Sequence, residues 1–84
     1  MARAVVLTKR ARKDLQAIDS PMRERIARRI DTLGNDPLPD DAKPLRGAWE
    51  GYYRIRVGDY RVIYAFDEVL VTVVRILQRK DAYR

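Results

Sequence analysis

The chain has 84 residues, of which 46% are apolar and none is cysteine or histidine. This composition predicts one folded domain, over residues 1–84, and excludes disulfides, a thiolate metal site and the most common general base. The net charge of +6, from 18 Lys and Arg against 12 Asp and Glu, favours an anionic partner.

No apolar run approaches the roughly 20 residues that a membrane-spanning helix requires. The short apolar N-terminus also lacks the pattern of a signal peptide. We therefore expect a cytoplasmic protein that has no membrane partner. On charge alone, a basic surface with no partner at all remains the alternative.

The first half of the chain predicts one strand and two helices. Arg3–Leu7 is a short β-branched run, and Thr8 is a candidate N-cap for a helix from about Lys9 to Asp19. Ser20-Pro21 predicts the start of a second helix, and Gly34-Asn35 predicts its C-terminal cap. Apolar residues recur at helical spacing in both helices and predict core positions: Ala11, Leu15, Ile18, Met22, Ile26, Ile30 and Leu33.

The second half of the chain predicts three strands after a proline-rich loop. The strands are expected at about Tyr52–Val57, Tyr60–Phe66 and Val69–Leu77, with turns at Gly58-Asp59 and Asp67-Glu68. The last strand is apolar on both sides, as a central strand would be. The order β-α-α-β-β-β predicts an α+β fold, with a helical hairpin packed on one face of a small, twisted, mainly antiparallel sheet. We interpret the acids of the loop as solvated and not as metal ligands: Asp36, Asp40 and Asp41.

The hairpin around Gly58-Asp59 places arginines together on one face of the sheet. A two-residue turn pairs Arg56 with Arg61, so both share a face with Arg54, while Tyr53, Tyr60 and Tyr64 turn to the helices and the core. Like charges directly opposite each other destabilise a sheet, and a polyanion would offset that cost. We expect these arginines to be exposed.

Residues around the hairpin allow more than one interpretation. A strict two-residue turn before the last strand would bury Arg75, so we favour a longer turn or a bulge that places Arg75 beside Arg61. Trp49 is expected to be a packing anchor. Lys43 and Arg46 are expected either to bind RNA backbone or to hold their loop.

The arginine pattern suits single-stranded RNA. Guanidinium groups bind phosphate bidentately, and the aromatic ring of Tyr83, arriving with Arg79 from the C-terminal end, would offer a stacking platform for a base. Cleavage by the neighbouring 2′-hydroxyl needs charge stabilisation and proton transfer but no metal. The alternative is a face of solvated arginines that an acidic protein covers.

The chain resembles the RelE branch of the RelE/ParE toxin superfamily. The resemblance rests on KPLRG from Lys43, on YYRIRVGDYRVIY from Tyr52, and on VVRI with a following Arg and DAY near the C-terminus. It covers nearly the whole chain, including the helical hairpin. The resemblance implies a toxin that cleaves mRNA in the ribosomal A site without metal or cofactor, and that forms a hetero-oligomer with an acidic, amphipathic RelB-like antitoxin.

The resemblance also implies roles for individual residues. The expected catalytic residues are Arg54, Arg56, Arg61, Arg79 and Tyr83, and the expected RNA-binding residues are Lys43, Arg46, Arg75 and Lys80. Two departures concern the base. The family prototype has lysines at the first two positions, whereas arginine does not give up its proton. Many relatives have Gly-His where this chain has Leu77-Gln78. Three residues remain as candidates for proton transfer: Glu50, Asp81 and Tyr83.

Two other functions remain open at this point. One is a ParE-like toxin that poisons DNA gyrase through protein contacts and has no catalytic site. The other is a degenerate toxin that retains only antitoxin binding, which the Leu77-Gln78 departure keeps open.

Overall fold

The computed structural model of the chain describes residues 2–79. Two helices and five strands follow one another, with one 3₁₀ turn at Gly47–Trp49. The helices and strands are β1 (Ala4–Leu7), α1 (Lys9–Gln16), α2 (Met22–Thr32), β2 (Lys43–Pro44), β3 (Tyr53–Val57), β4 (Tyr60–Phe66) and β5 (Leu70–Gln78).

The strands form a single sheet in the order β1-β5-β4-β3-β2. β1 pairs with β5 in parallel, and all other neighbours are antiparallel. This arrangement confirms the predicted α+β architecture and the central place of the last strand. β2 was not predicted; Lys43 and Pro44 pair with Arg54 and Tyr53.

Both helices pack on one face of the sheet, where the core lies. Ile26, Ile30 and Leu33 of the second helical segment are almost fully buried, and Leu15 packs against the same cluster. The sheet contributes its alternating apolar residues: Ile55, Val57, Val62, Tyr64, Val71, Val73 and Ile76. Truncating a large core side chain to alanine typically costs about 2–5 kcal/mol, so these residues hold helices and sheet in one arrangement.

Tyr64 joins the core to the proline-rich loop. Its ring is fully buried, and its hydroxyl donates a hydrogen bond of 2.6 Å to the carbonyl oxygen of Pro37. Burial raises the pKa of Tyr64 to about 12, so the phenol stays protonated and keeps its donor at neutral pH. The loop that leads into β2 is thereby fixed to the sheet.

The helix termini follow the sequence signals only in part. Thr8 caps α1 as predicted, since its hydroxyl oxygen accepts the N–H of Ala11 at 3.1 Å. Ser20 does not cap α2, because Pro21 occupies the N-cap position and the hydroxyl of Ser20 donates to the carboxylate of Glu24 instead. That part of the prediction is wrong.

Gly34 serves close packing and not a left-handed helix cap. Its φ is not positive, and Leu33 is the C-cap of α2. A Cβ at position 34 would lie 2.7 Å from the carbonyl oxygen of Arg3. The backbone N–H of Arg3 also donates to the carbonyl oxygen of Gly34, at 2.7 Å. The glycine therefore allows the N-terminal segment to cross the end of α2, and the predicted C-cap role is wrong.

The connection between β4 and β5 is longer than two residues, as favoured from the sequence. Phe66 pairs with Val71, and the Asp67 carboxylate accepts the N–H groups of Val69 and Leu70 at 2.9 and 2.8 Å. These hydrogen bonds to the charged form lower the pKa of Asp67. A bulge in the register lies between Ile63 and Tyr64, as the sequence had suggested.

No helix within residues 2–79 is long and apolar enough to cross a membrane.

Candidate functional site

The β3–β4 hairpin has the predicted register. Val57 pairs with Tyr60 and Arg56 with Arg61 across the Gly58-Asp59 turn. Gly58 has a φ of +59°, whereas the φ of Asp59 is not positive, which is the pattern of a type II′ turn with glycine at its first central position. This turn fixes the register and therefore decides which side chains share a face.

The arginine face, defined here as the sheet face that carries Arg54, Arg56 and Arg61, lies opposite the helices. Its members differ in exposure. Arg56 is exposed and Arg54 is half-buried, but Arg61 is only 3% exposed, beside Ile63 at 4%. The expectation that Arg61 is exposed is therefore wrong.

Two pairs of like charges lie directly across neighbouring strands. Arg56 is opposite Arg61, and Lys43 of β2 is opposite Arg54 of β3. Cross-strand partners share a face, so Lys43 extends the arginine face to the edge of the sheet. Like charges placed opposite each other repel, so this face attracts negative charge.

Arg79 follows the end of β5 near the hairpin turn. Its N–H donates to the carbonyl oxygen of Asp59 at 2.6 Å, and its side chain is exposed. The structure thus brings the backbone of Arg79 to the same end of the sheet as Arg56 and Arg61. The other predicted residues of the C-terminal segment lie outside the described residues: Lys80, Asp81 and Tyr83.

Arg75 lies by register on the same sheet face as Arg61, but its guanidinium is bound to α1. It lies opposite Ile63, and its guanidinium donates to the carboxylate of Asp14 at 2.8 Å. The same carboxylate accepts the N–H of Ile76 at 2.9 Å. β1 pairs with β5 only as far as Val73. Beyond that point the Asp14 carboxylate takes the place of a neighbouring strand, as acceptor for the backbone N–H of β5. The register therefore confirms that Arg75 shares the sheet face of Arg61, whereas its pairing with Asp14 was not predicted.

The loop between β2 and β3 places two further predicted residues. Arg46 is exposed and precedes the 3₁₀ turn, without a side-chain capping bond. Trp49 is half-buried and meets Tyr52 edge-on, with ring centroids 5.5 Å apart. Trp49 thus packs as predicted, although against a neighbouring ring at the rim and outside the main core cluster.

The acids of the proline-rich loop are used locally. Asp41 forms an ion pair with Arg29 of α2, and this contact, with help from Arg54, lowers the pKa of Asp41. Asp36 accepts the N–H of Leu38 at 3.2 Å. Within residues 2–79, no group of three acidic, histidine or cysteine side chains is arranged to hold a metal ion.

Asp41→Asn is expected to lower the free energy of unfolding at neutral pH by no more than about 1 kcal/mol, because the side chains of the pair are 31% and 47% exposed. A lowered pKa in the folded state stabilises the protein above the usual pKa of 3.8. The difference from wild type should therefore disappear as the pH falls below 3.8, through the lowered pKa. Denaturant unfolding across this range measures it, with Asp40→Asn as the matched control, since it removes a neighbouring exposed carboxylate that is not the partner of Arg29. A constant difference at all pH values would contradict the ion-pair explanation.

A family model described as the ParE toxin of type II toxin–antitoxin systems matches residues 5–83. The chain belongs to the RelE/ParE toxin superfamily. Within it, the chain is similar to the putative toxin RelE1 of Methanocaldococcus jannaschii, with 33% identity over 95% of this chain and 93% of that protein. It is also 36% identical to the toxin RelE of Mycobacterium tuberculosis, over 95% of this chain and 84% of that protein.

Solved RelE structures share the whole fold. The toxin in the M. tuberculosis RelBE2 toxin–antitoxin complex superposes with a TM-score of 0.83 and 28% identity, over 94% of this chain and all of that chain. The toxin in the RelE–RelB complex of Pyrococcus horikoshii gives 0.81 and 29%, over 96% of this chain and 99% of that chain. These similarities confirm the RelE-like fold predicted from the sequence.

Sequence reasoning missed two features of this RelE-like site. It did not find β2, and so did not place Lys43 directly opposite Arg54. A signal was present, because proline is confined largely to edge strands and Pro44 stands beside Lys43. It also missed Asp14 as the partner of Arg75, a pairing across 61 residues for which the sequence carries no local signal.

Proposed function

We propose that this toxin is a ribosome-dependent mRNA endonuclease that cleaves by metal-independent attack of the 2′-hydroxyl group. The observation that carries the proposal is the cross-strand pair of Arg56 and Arg61 on the arginine face, continued by Lys43 and Arg54. A row of cations on adjacent strands matches a phosphate backbone, and the RelE-named relatives support the same assignment.

In this mechanism Arg61 holds the scissile phosphate. The 2′-hydroxyl oxygen attacks the adjacent phosphorus, the bond to the 5′-oxygen breaks, and a 2′,3′-cyclic phosphate forms. One proton leaves the 2′-hydroxyl group and one is delivered to the 5′-oxygen. Negative charge grows on the phosphoryl oxygens in between, where a fixed guanidinium contributes most. Arg61 is only 3% exposed before RNA binds, so on this proposal the groups that cover its guanidinium must move aside when the phosphate binds.

The remaining arginines would orient the RNA and cannot act as bases. Arg54 and Arg56 keep their protons at all accessible pH values, so their contribution is electrostatic. By resemblance, Arg79 would act near the leaving group, and its backbone contact with Asp59 supports this position. Proton transfer then falls to the candidates named from the sequence: Glu50, Asp81 and Tyr83.

We infer that the toxin binds a cognate antitoxin. The toxins of the M. tuberculosis and P. horikoshii complexes were solved together with their antitoxins. An acidic, amphipathic antitoxin segment would offset the like-charge pairs and would cover or distort the face that holds Arg61. An antitoxin complex that leaves this face open while cleavage is blocked would contradict this account of neutralisation.

A gyrase poison is the second candidate, because the matching family model carries the ParE description. Gyrase inhibition through protein contacts does not require arginines paired across two strands, whereas such a pair is well suited to phosphate binding. The arginine face therefore favours the RNA endonuclease.

Mapping RNA ends after toxin induction separates these functions. We expect new 5′ ends inside the translated region of a reporter mRNA, and none in a matched reporter whose start codon is removed. The control is the Arg10→Gln toxin, altered on the exposed side of α1, which should give the same ends. Growth arrest with altered DNA supercoiling and intact mRNA would overturn the proposal and indicate a gyrase poison instead. Antitoxin binding without either effect would indicate the degenerate toxin.

A further inference from the structure

A basic cleft of about 310 Å³ lies between α2 and the end of β3. We call it the α2 cleft; the charged residues that line it within the described part of the chain are all arginines, namely Arg25, Arg28 and Arg29 of the helix and Arg56 of the strand. β2 pairs only with Tyr53 and Arg54, so the outer edge of β3 at Arg56 has no neighbouring strand within residues 2–79.

Three of these four arginines carry uncompensated charge. Arg29 is paired with Asp41, but Arg25, Arg28 and Arg56 are exposed and form no ion pair within the described part of the chain. Like charges three and four residues apart on a helix are unfavourable, as across a strand pair. The cleft thus concentrates positive charge beside a sheet face that already does so.

The walls of the cleft are held by the core. Ile26 and Ile30 anchor α2 from below, and Val57 at the rim of the cleft is 6% exposed. The hairpin turn lies close to the start of α2, since a Cβ at Gly58 would come within 2.7 Å of the Met22 methyl group. The arginines therefore project from two elements whose separation is fixed before any ligand binds.

The lining favours a phosphate backbone over a protein partner. An amphipathic helix needs an apolar surface to bury, whereas Val57, which is mostly buried, is the only large apolar side chain among residues 2–79 that lines the cleft. Arg25 and Arg28 are separated by about 4.5 Å along the helix axis, so both can contact the backbone of one extended RNA strand. Guanidinium groups are well suited to phosphate oxygens.

We propose that the α2 cleft binds the phosphate backbone of an RNA strand on its way to or from the arginine face. Arg56 belongs to both surfaces, so a strand whose scissile phosphate lies at Arg61 would continue around the edge of β3 into the cleft. The identity of the strand as substrate rests on the proposed endonuclease function. The proposal that the cleft binds phosphate does not depend on that function.

The test measures RNA binding by an Arg25→Gln/Arg28→Gln variant. The probe is a single-stranded 2′-O-methylated RNA, which cannot be cleaved by 2′-hydroxyl attack, so binding is read independently of catalysis. Two lost phosphate contacts should reduce the slope of log K against log salt concentration by about 1.4 and weaken binding ~10–30-fold at 0.1 M salt. The matched control is Arg10→Gln/Arg12→Gln on α1, which removes the same charge from exposed positions outside the cleft.

The outcomes separate this site from general charge and from the proposed function. An equal loss of RNA affinity in both double variants, or no RNA binding by the wild type, would overturn the proposal that the α2 cleft binds phosphate. So would a variant that loses antitoxin binding while its RNA binding is unchanged, because the cleft would then bind protein. A wild type that binds the probe through the cleft but never cleaves mRNA would overturn the endonuclease function and leave the cleft standing.

Discussion

Replacing Arg61 with alanine is expected to reduce the rate of mRNA cleavage by about 10²–10³-fold, and to abolish growth arrest on induction. The reason is the loss of a preorganised positive charge where negative charge grows in the transition state. The measurement is single-turnover cleavage on programmed ribosomes, far below the melting temperature of each variant, so that unfolding does not contribute.

The burial of Arg61 adds an effect on stability. A side chain that is 3% exposed packs through its aliphatic part, so its truncation should lower the free energy of unfolding by about 1–3 kcal/mol. Loss of toxicity in Arg61→Ala alone is therefore ambiguous. Arg61→Lys separates the two effects, because it retains charge and most of the volume but cannot bind phosphate bidentately. It should restore cleavage only in part.

Ile63→Val is the matched control for packing on the same face. Ile63 is 4% exposed and shares the face with Arg61, so this change should lower the free energy of unfolding by about 0.5–1.5 kcal/mol. Its cleavage rate should equal that of the wild type. A stable, folded Arg61→Ala toxin that remains fully toxic would rule out the phosphate site and favour the gyrase reading.

The hairpin could be predicted because its geometry is local. A two-residue turn that begins with glycine fixes which residues are opposite, and strict alternation then assigns each side chain to a face. The pairing of Arg56 with Arg61 follows from residues 56–61 alone. Family resemblance was not needed for that step, although it was needed to assign chemistry to the face.

Burial and distant pairing could not be predicted in the same way. Alternation gives the face of Arg61 but not what lies over it, so its low exposure required the folded structure. The length of β1 decides where the edge of β5 becomes free, and Asp14 lies on a helix that begins only after β1 ends. The Arg75–Asp14 contact therefore depends on three elements at once.

Asp14→Ala is expected to lower the free energy of unfolding by about 1–3 kcal/mol, because two half-buried donors lose their acceptor. These donors are the guanidinium of Arg75 and the N–H of Ile76, both held by the same carboxylate. Denaturant unfolding measures the loss, and amide hydrogen exchange at Ile76 should become faster. Asp19→Ala is the control, since that exposed side chain makes no hydrogen bond within the described residues and its removal should change stability by less than about 0.5 kcal/mol.

A second substitution tests whether the loss of stability in Asp14→Ala arises from the guanidinium of Arg75, which is then left without its partner. Arg75→Met in the Asp14→Ala background removes the unpaired guanidinium while keeping an aliphatic chain that can pack, so part of the lost stability should return. The remaining loss would belong to the Ile76 N–H, for which methionine offers no acceptor. The cycle of four proteins gives the coupling between the two side chains directly. Additive effects, with no recovery in the double variant, would show that Asp14 acts on the β5 edge alone and that its ion pair with Arg75 contributes nothing.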